Sequence, residues 1–127
     1  MNETLQTPSD RINALPLWRR RGDAVPLSGG LSNESFHVAD RGRKYVVRFG
    51  RDLPFHHVFR EREVMVARAA HAAGLAPEVV HAEPGVMVSA FVEGRTCTAK
   101  DVRATPPRIA SLIRRFHIEM PLHVSGP

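Results

Sequence analysis

The run Pro26-Leu27-Ser28-Gly29-Gly30-Leu31-Ser32-Asn33-Glu34-Ser35-Phe36-His37-Val38, followed by Val46-Val47-Arg48-Phe49 and then a helical segment carrying Glu63, decides how this chain is read. Two strand-like runs flank a turn with paired glycines. Gly29 and Gly30 lack a Cβ, so main chain can come close to a bound anion, and the amides of residues 29–33 can turn toward its oxygens. Ser32 and Asn33 add side-chain donors. Alone, this turn reads better as an ordinary hairpin loop, and it does not have the GxGxxG spacing.

The next strand sharpens the reading. Alternation over residues 44–49 puts Lys44, Val46 and Arg48 on one face and Tyr45, Val47 and Phe49 on the other. A cation two residues after a small apolar residue, on the same face, suits a surface that covers adenine and then reaches the α and β phosphates. On the following helix Phe59, Glu63, Val66, Ala67 and Ala70 fall on one face, while Glu61 lies with His57, Val64, Met65 and Arg68 on a mixed one. A carboxylate on an inward face needs a cation, because a buried unpaired charge is costly. Arg48 is the natural partner, and an intrahelical pair with Arg60 is the alternative.

Outward from this centre, Ser9 predicts a cap for a short helix over residues 10–15 that Pro16 ends, leaving Leu17 and Trp18 to pack on the body. Strands are expected at 23–27, 35–39 and 43–49, the last two joined by Asp40-Arg41-Gly42. One long helix is expected over 57–73, stopped by Gly74 ahead of Pro77. A hairpin over 79–82 and 86–91 turns at Glu83-Pro84-Gly85. A polar stretch over 93–104 leads to Thr105 as N-cap, with Pro106 at the first helical position. The last helix carries Ile109, Leu112, Ile113 and Phe116 as a stripe in need of a partner surface. The fold class is therefore α+β, with a five-stranded antiparallel sheet and a helix inserted after the third strand. Three segments follow: a helical extension at 1–22, a sheet lobe at 23–94 and a linker with a terminal helix at 95–127.

At 127 residues and 43% hydrophobic content the chain can bury one modest core. Its net charge of +5 suits a polyanion such as ATP or a nucleic acid, although the positives are scattered apart from Arg19, Arg20 and Arg21. A single Cys97 excludes an internal disulfide framework, and no apolar run reaches the roughly 20 residues that span a bilayer. The polar first residues contain no signal-peptide core, so the expected location is the cytoplasm, without membrane contact. The seven histidines lack HExxH or Cys/His spacing, which excludes a zinc site, and Ser28-Gly29-Gly30 is not a GxSxG elbow. The segment 89–94 runs from apolar strand to polar loop, and its main chain near residues 90–92 could read an adenine edge.

Together, Leu27-Ser28-Gly29-Gly30-Leu31-Ser32-Asn33, Tyr45-Val46-Val47-Arg48-Phe49, Arg60-Glu61-Arg62-Glu63, Gly74-Leu75-Ala76-Pro77-Glu78-Val79, Phe91-Val92-Glu93-Gly94-Arg95 and Arg115-Phe116-His117-Ile118-Glu119-Met120-Pro121 resemble the choline/ethanolamine kinase family, within the aminoglycoside-phosphotransferase-like kinases. The resemblance runs from about Leu15 onward. It implies a protein-kinase-like N-terminal lobe that binds ATP, with residues 28–33 as the nucleotide loop and Val46 lining the adenine pocket. Arg48 stands in place of the usual kinase lysine, Glu63 orients it, and Phe91, Val92 and Glu93 form the hinge. An arginine at position 48 favours the choline-kinase branch.

These kinases need a catalytic-loop aspartate and a later aspartate for magnesium. The last aspartate here is Asp101, and the only acid beyond it is Glu119. No catalytic or metal-binding residue is therefore assigned in this chain. Magnesium and a small hydroxyl substrate are expected only in a full-length parent, and the free chain is expected to bind ATP weakly or not at all. The other readings are a non-catalytic interaction module that binds a partner through its positive charge or its exposed helix, and a lobe of an aminoglycoside-type or other small-molecule kinase. The stripe of the last helix would anchor a second lobe in a complete kinase and is expected to make a free chain self-associate. Nucleic-acid binding is the weakest reading, since aromatic content is only 6% and no ribonucleoprotein motif occurs.

Overall fold

A computed structural model describes residues 7–27 and 34–125. Its centre is a five-stranded antiparallel sheet built from β1 (Arg21–Leu27), β2 (Glu34–Asp40), β3 (Arg43–Phe49), β4 (Val79–Glu83) and β5 (Val86–Ala90). The strand order is β1-β2-β3-β5-β4, so the two β-rich stretches of sequence join along β3 and β5. All five strands lie where the sequence places them, with ends shifted by one or two residues.

The turns follow local chemistry. Arg41 and Gly42 both have positive φ, 52° and 81°, as a two-residue hairpin whose twist matches its strands requires. Asp40, at the mouth of this turn, is buried, and its carboxylate accepts from the main-chain N–H of Arg20 at 2.7 Å and of Arg19 at 3.3 Å. That contact pulls the arginine cluster against the sheet edge and guides the chain into β1.

Alternation divides the sheet into two unlike faces. Phe36, Val38, Val47, Phe49 and Val88 share a buried cluster with Ile12 and Leu15, with Leu17, Trp18 and Tyr45 packed against it. Helix α1 (Pro8–Asn13) covers this face and is pinned by Trp18, whose Nε1 donates to Ile12 O at 2.6 Å. The N-cap is Thr7, not the expected Ser9. Thr7 and Asp10 form a reciprocal capping box, which starts the helix two residues earlier and places Ser9 inside it.

Helix α2 (Arg60–Ala72) starts later than the expected 57–73. Pro54 opens a single 3-10 turn, His57 has a left-handed φ of 57°, and Leu53 and Val58 bond each other's main chains at 2.8 and 3.1 Å. This small loop keeps residues 57–59 out of the helix. Asp52 then caps α2 from outside, accepting from Arg60 N–H at 2.7 Å. At the other end Gly74 takes φ 76°, with Gly74 N–H on His71 O and Leu75 N–H on Ala70 O, a Schellman stop.

One helix was not anticipated. Residues 99–104, read as part of a polar stretch, form α3 (Ala99–Ala104), capped by a second box between Thr98 and Asp101. The Thr-x-x-Asp spacing was the available signal. Helix α4 (Pro106–Glu119) follows with Thr105 at its N-cap position and Pro106 at N1, but the Thr105 hydroxyl donates back to Asp101 O and does not cap. No residue of α4 is buried.

Candidate functional site

Opposite the α1-covered core, the sheet presents its second face. Register places Val25 across from His37, His37 across from Val46, and Val46 across from Ser89. One row further along, Leu27 faces Ser35, Ser35 faces Arg48 and Arg48 faces Met87. The ends of β1 and β2 that lead into the glycine turn therefore lie in the same row as Arg48. Ser28, Gly29, Gly30, Leu31, Ser32 and Asn33 themselves lie outside the described residues.

Arg48 is tied across this face to α2. Its Nη2 lies 2.7 Å from Glu63 Oε1, and the other carboxylate oxygen accepts from Arg60 Nη1 at 2.6 Å. Both partners considered from the sequence are thus engaged at once, one on each oxygen. The pair is only partly shielded, with the Glu63 side chain 30% exposed. Its stabilisation belongs with exposed ion pairs, about 0.2–1 kcal/mol, so the arrangement fixes geometry more than it adds stability.

The apolar stripe expected around Glu63 is corrected in part. Phe59 precedes the helix and Val66 is 45% exposed, while Ala69 and Ala70 are the buried positions. The helix starts too late to use Phe59, and its contact with the sheet is to β4, which draws in the small residues of its last turns. Glu63 sits at the half-buried margin of that contact.

At the far end of the face, the Phe91 N–H donates to Lys44 O at 2.9 Å, which carries the sheet one residue beyond β5. No main-chain hydrogen bond joins Val92 or Glu93 to another described residue. The Phe91 ring meets His37 edge to face at 4.7 Å. Lys44 forms an ion pair with Glu93, and this hydrogen bond, with the ammonium charge, holds the Glu93 carboxyl below the usual carboxylate range. His37, Val25 and the Lys44/Glu93 link were not singled out from the sequence. The period-2 alternation that placed Val46 would have found His37 once the β2 and β3 register was known.

A cleft of about 1430 Å³ opens between α2 and the sheet, with Arg48, Arg60 and Glu63 themselves in its walls beside Gly50, Met87 and His123. It does not reach Val46, His37 or Phe91. Among the described residues no three His, Cys, Asp or Glu side chains are grouped as metal ligands would be.

The model of the phosphotransferase enzyme family matches residues 23–122, which include both faces of the sheet and all the elements around Arg48. The chain belongs to that family. Among solved structures this chain is similar to Plasmodium vivax ethanolamine kinase, with a TM-score of 0.63 and 18% sequence identity. The match covers 76% of the present chain and 26% of that kinase, so the chain spans about a quarter of its length. At this identity the likeness establishes the kinase-type fold. A search of the curated proteins returned no match.

Proposed function

We propose that this phosphotransferase chain is the nucleotide-binding lobe of a choline/ethanolamine-kinase-like enzyme, which transfers the γ-phosphoryl group of ATP to a substrate hydroxyl. The observation that carries the reading is the 2.7 Å contact of Arg48 with Glu63, on the sheet face that also holds Val46 and leads to Phe91. A guanidinium fixed by a carboxylate on one side presents its other donors in a planar fork that suits phosphate oxygens. Val25 and Val46 supply apolar cover, and the unpaired main chain of Val92 and Glu93 supplies donors and acceptors for a base edge. Residues 28–33 complete the proposal as the phosphate loop.

Among the described residues no acidic or imidazole side chains are grouped as metal ligands would be, and we assign magnesium, together with the small hydroxyl substrate, to a full-length parent. The two acids after residue 95 are already committed. Asp101 holds Arg95 and caps α3, and Glu119 lies 3.4 Å from Arg115. We accordingly propose that the free chain does not transfer phosphate. We also propose the division at 1–22, 23–94 and 95–127, and a cytoplasmic location; no helix among the described residues is long and apolar enough to cross a membrane.

The test is an NMR titration of the chain with ATP, which detects weak binding. Shifts are expected at Val46, the Arg48 side chain and residues 91–93. Shifts at Met65, Met87 and His123 with none at Val46 or residues 91–93 would overturn the assignment. Phosphorylation of choline, ethanolamine or an aminoglycoside by the chain alone would overturn the proposed inactivity.

A second reading, a non-catalytic interaction module, draws on α4. Leu112, Ile113 and Phe116 are exposed on it, and its tie to the body is the Arg115 guanidinium on Ala73 O at 3.2 Å. In this reading a second copy of the chain would cover that stripe.

A further inference from the structure

We propose that Arg60 is a positioning residue for Arg48, acting through Glu63, and that position 50 is a glycine because the Arg60 guanidinium occupies the space a side chain there would need. The chain of contact is short. Arg48 Nη2 holds Glu63 Oε1 at 2.7 Å and Arg60 Nη1 holds Oε2 at 2.6 Å. A carboxylate held by one oxygen still turns about its terminal torsion, which has a broad, shallow profile. Held by both, its plane is set, and so is the direction from which Arg48 must approach.

Of the two arginines, Arg60 is the anchored one. Its side chain is 13% exposed against 36% for Arg48. Its Nε donates to Arg51 O at 2.9 Å, and its main-chain N–H donates to Asp52 at 2.7 Å. Arg60 is thus fastened to the loop after β3 and to the start of α2 together, and it carries Glu63 with it.

Gly50 gives the second, independent observation. Its φ is not in the left-handed region, so its main-chain conformation does not call for glycine. A Cβ at this position would lie 2.7 Å from Cζ, 2.8 Å from Nε and 2.9 Å from Nη2 of Arg60. Any side chain must therefore displace the guanidinium, and the guanidinium cannot move without releasing Arg51 O or Glu63. Two guanidinium groups on one carboxylate also leave a net positive charge facing the open sheet, which favours an anionic ligand. This last consequence rests on the nucleotide reading above; the positional coupling does not.

The experiment is a double-mutant cycle between Arg48→Ala and Glu63→Ala, read by urea unfolding of the 127-residue chain and repeated in Gly50→Ala, Arg60→Ala and Arg60→Lys backgrounds. The Arg48/Glu63 coupling is expected to fall by more than about half with Gly50→Ala and with Arg60→Ala, from the sub-kcal/mol range of exposed pairs. Gly50→Ala and Arg60→Ala combined should do no more than either alone, and Arg60→Lys should restore part of the coupling. A coupling that is unchanged or stronger without Arg60 would overturn the proposal. The Arg48 Nε–Hε NMR signal provides a second readout, expected to broaden in the Gly50→Ala and Arg60→Ala chains, and a signal that stays sharp in both would also overturn the proposal. Adding ATP separates the two ideas: if the unmutated chain shows no ATP-dependent shift at Arg48 while the coupling behaves as expected, the nucleotide reading fails and the positioning role stands.

Discussion

Arg48 on β3 and Glu63 on α2 meet at 2.7 Å across the sheet face opposite the core, and the other Glu63 oxygen is taken by Arg60. The pair is partly open to solvent and so contributes little to folding. It holds the Arg48 guanidinium in the row that also contains Ser35 and Leu27.

Glu63→Gln should therefore separate binding from stability. Thermal unfolding is expected to move by no more than the equivalent of about 1 kcal/mol, because the pair is half-exposed. The ATP-dependent NMR shift at the Arg48 side chain is expected to shrink several-fold. An unaltered titration at Arg48 would remove Glu63 from the site.

Ile12→Ala should do the reverse. Ile12 is fully buried between α1 and the sheet, and its truncation should cost about 2–5 kcal/mol, a large part of a small lobe's stability. Urea unfolding measures the loss. Under native conditions the Arg48 signal should stay in place, since the two faces of the sheet are separate.

Acid should loosen α3 before the sheet. Hydrogen bonds from Arg95 and from Thr98 lower the Asp101 pKa from 3.8 to about 2. Folding thus favours the charged form, so this contribution is complete above the ordinary carboxylate pKa and is lost as pH falls through about 2. The protection of amides 99–104 against exchange, relative to an unfolded chain at the same pH, should fall across that window as pH is lowered from 5. Asp101→Asn should show the lower protection already at pH 5.

The exposed stripe of α4 should drive self-association of the free chain. Light scattering at high concentration is expected to report a dimer or larger species. Leu112→Glu with Phe116→Glu should return it to monomer, with the sheet lobe unchanged by circular dichroism. A monomer before substitution would count against the stripe as a contact surface.

Much of this was legible in the sequence. Strand alternation placed Tyr45, Val47 and Phe49 on one face and Arg48 on the other, and the need of Glu63 for a cation was legible although the stripe drawn around it through Phe59 and Val66 was not the buried one. Misreadings came where one local signal competed with another. Residues 57–59 look helical, yet Pro54 and the left-handed His57 hold them in a loop. Residues 99–104 looked like a polar linker because their capping box lies within a charged run.

The sequence by itself determined which side chains share a strand or helix face, because side-chain direction repeats every two residues in strands and every 3.6 in helices. The tertiary structure decided which faces meet. Glu63 could have paired with Arg60 or with Arg48, and spacing alone does not distinguish them. Only the packing of α2 on the far side of the sheet from α1 brings both guanidinium groups to one carboxylate. Likewise, nothing local to Gly50 calls for a glycine; that requirement arises when Arg60, from the next helix, fills the space beside it.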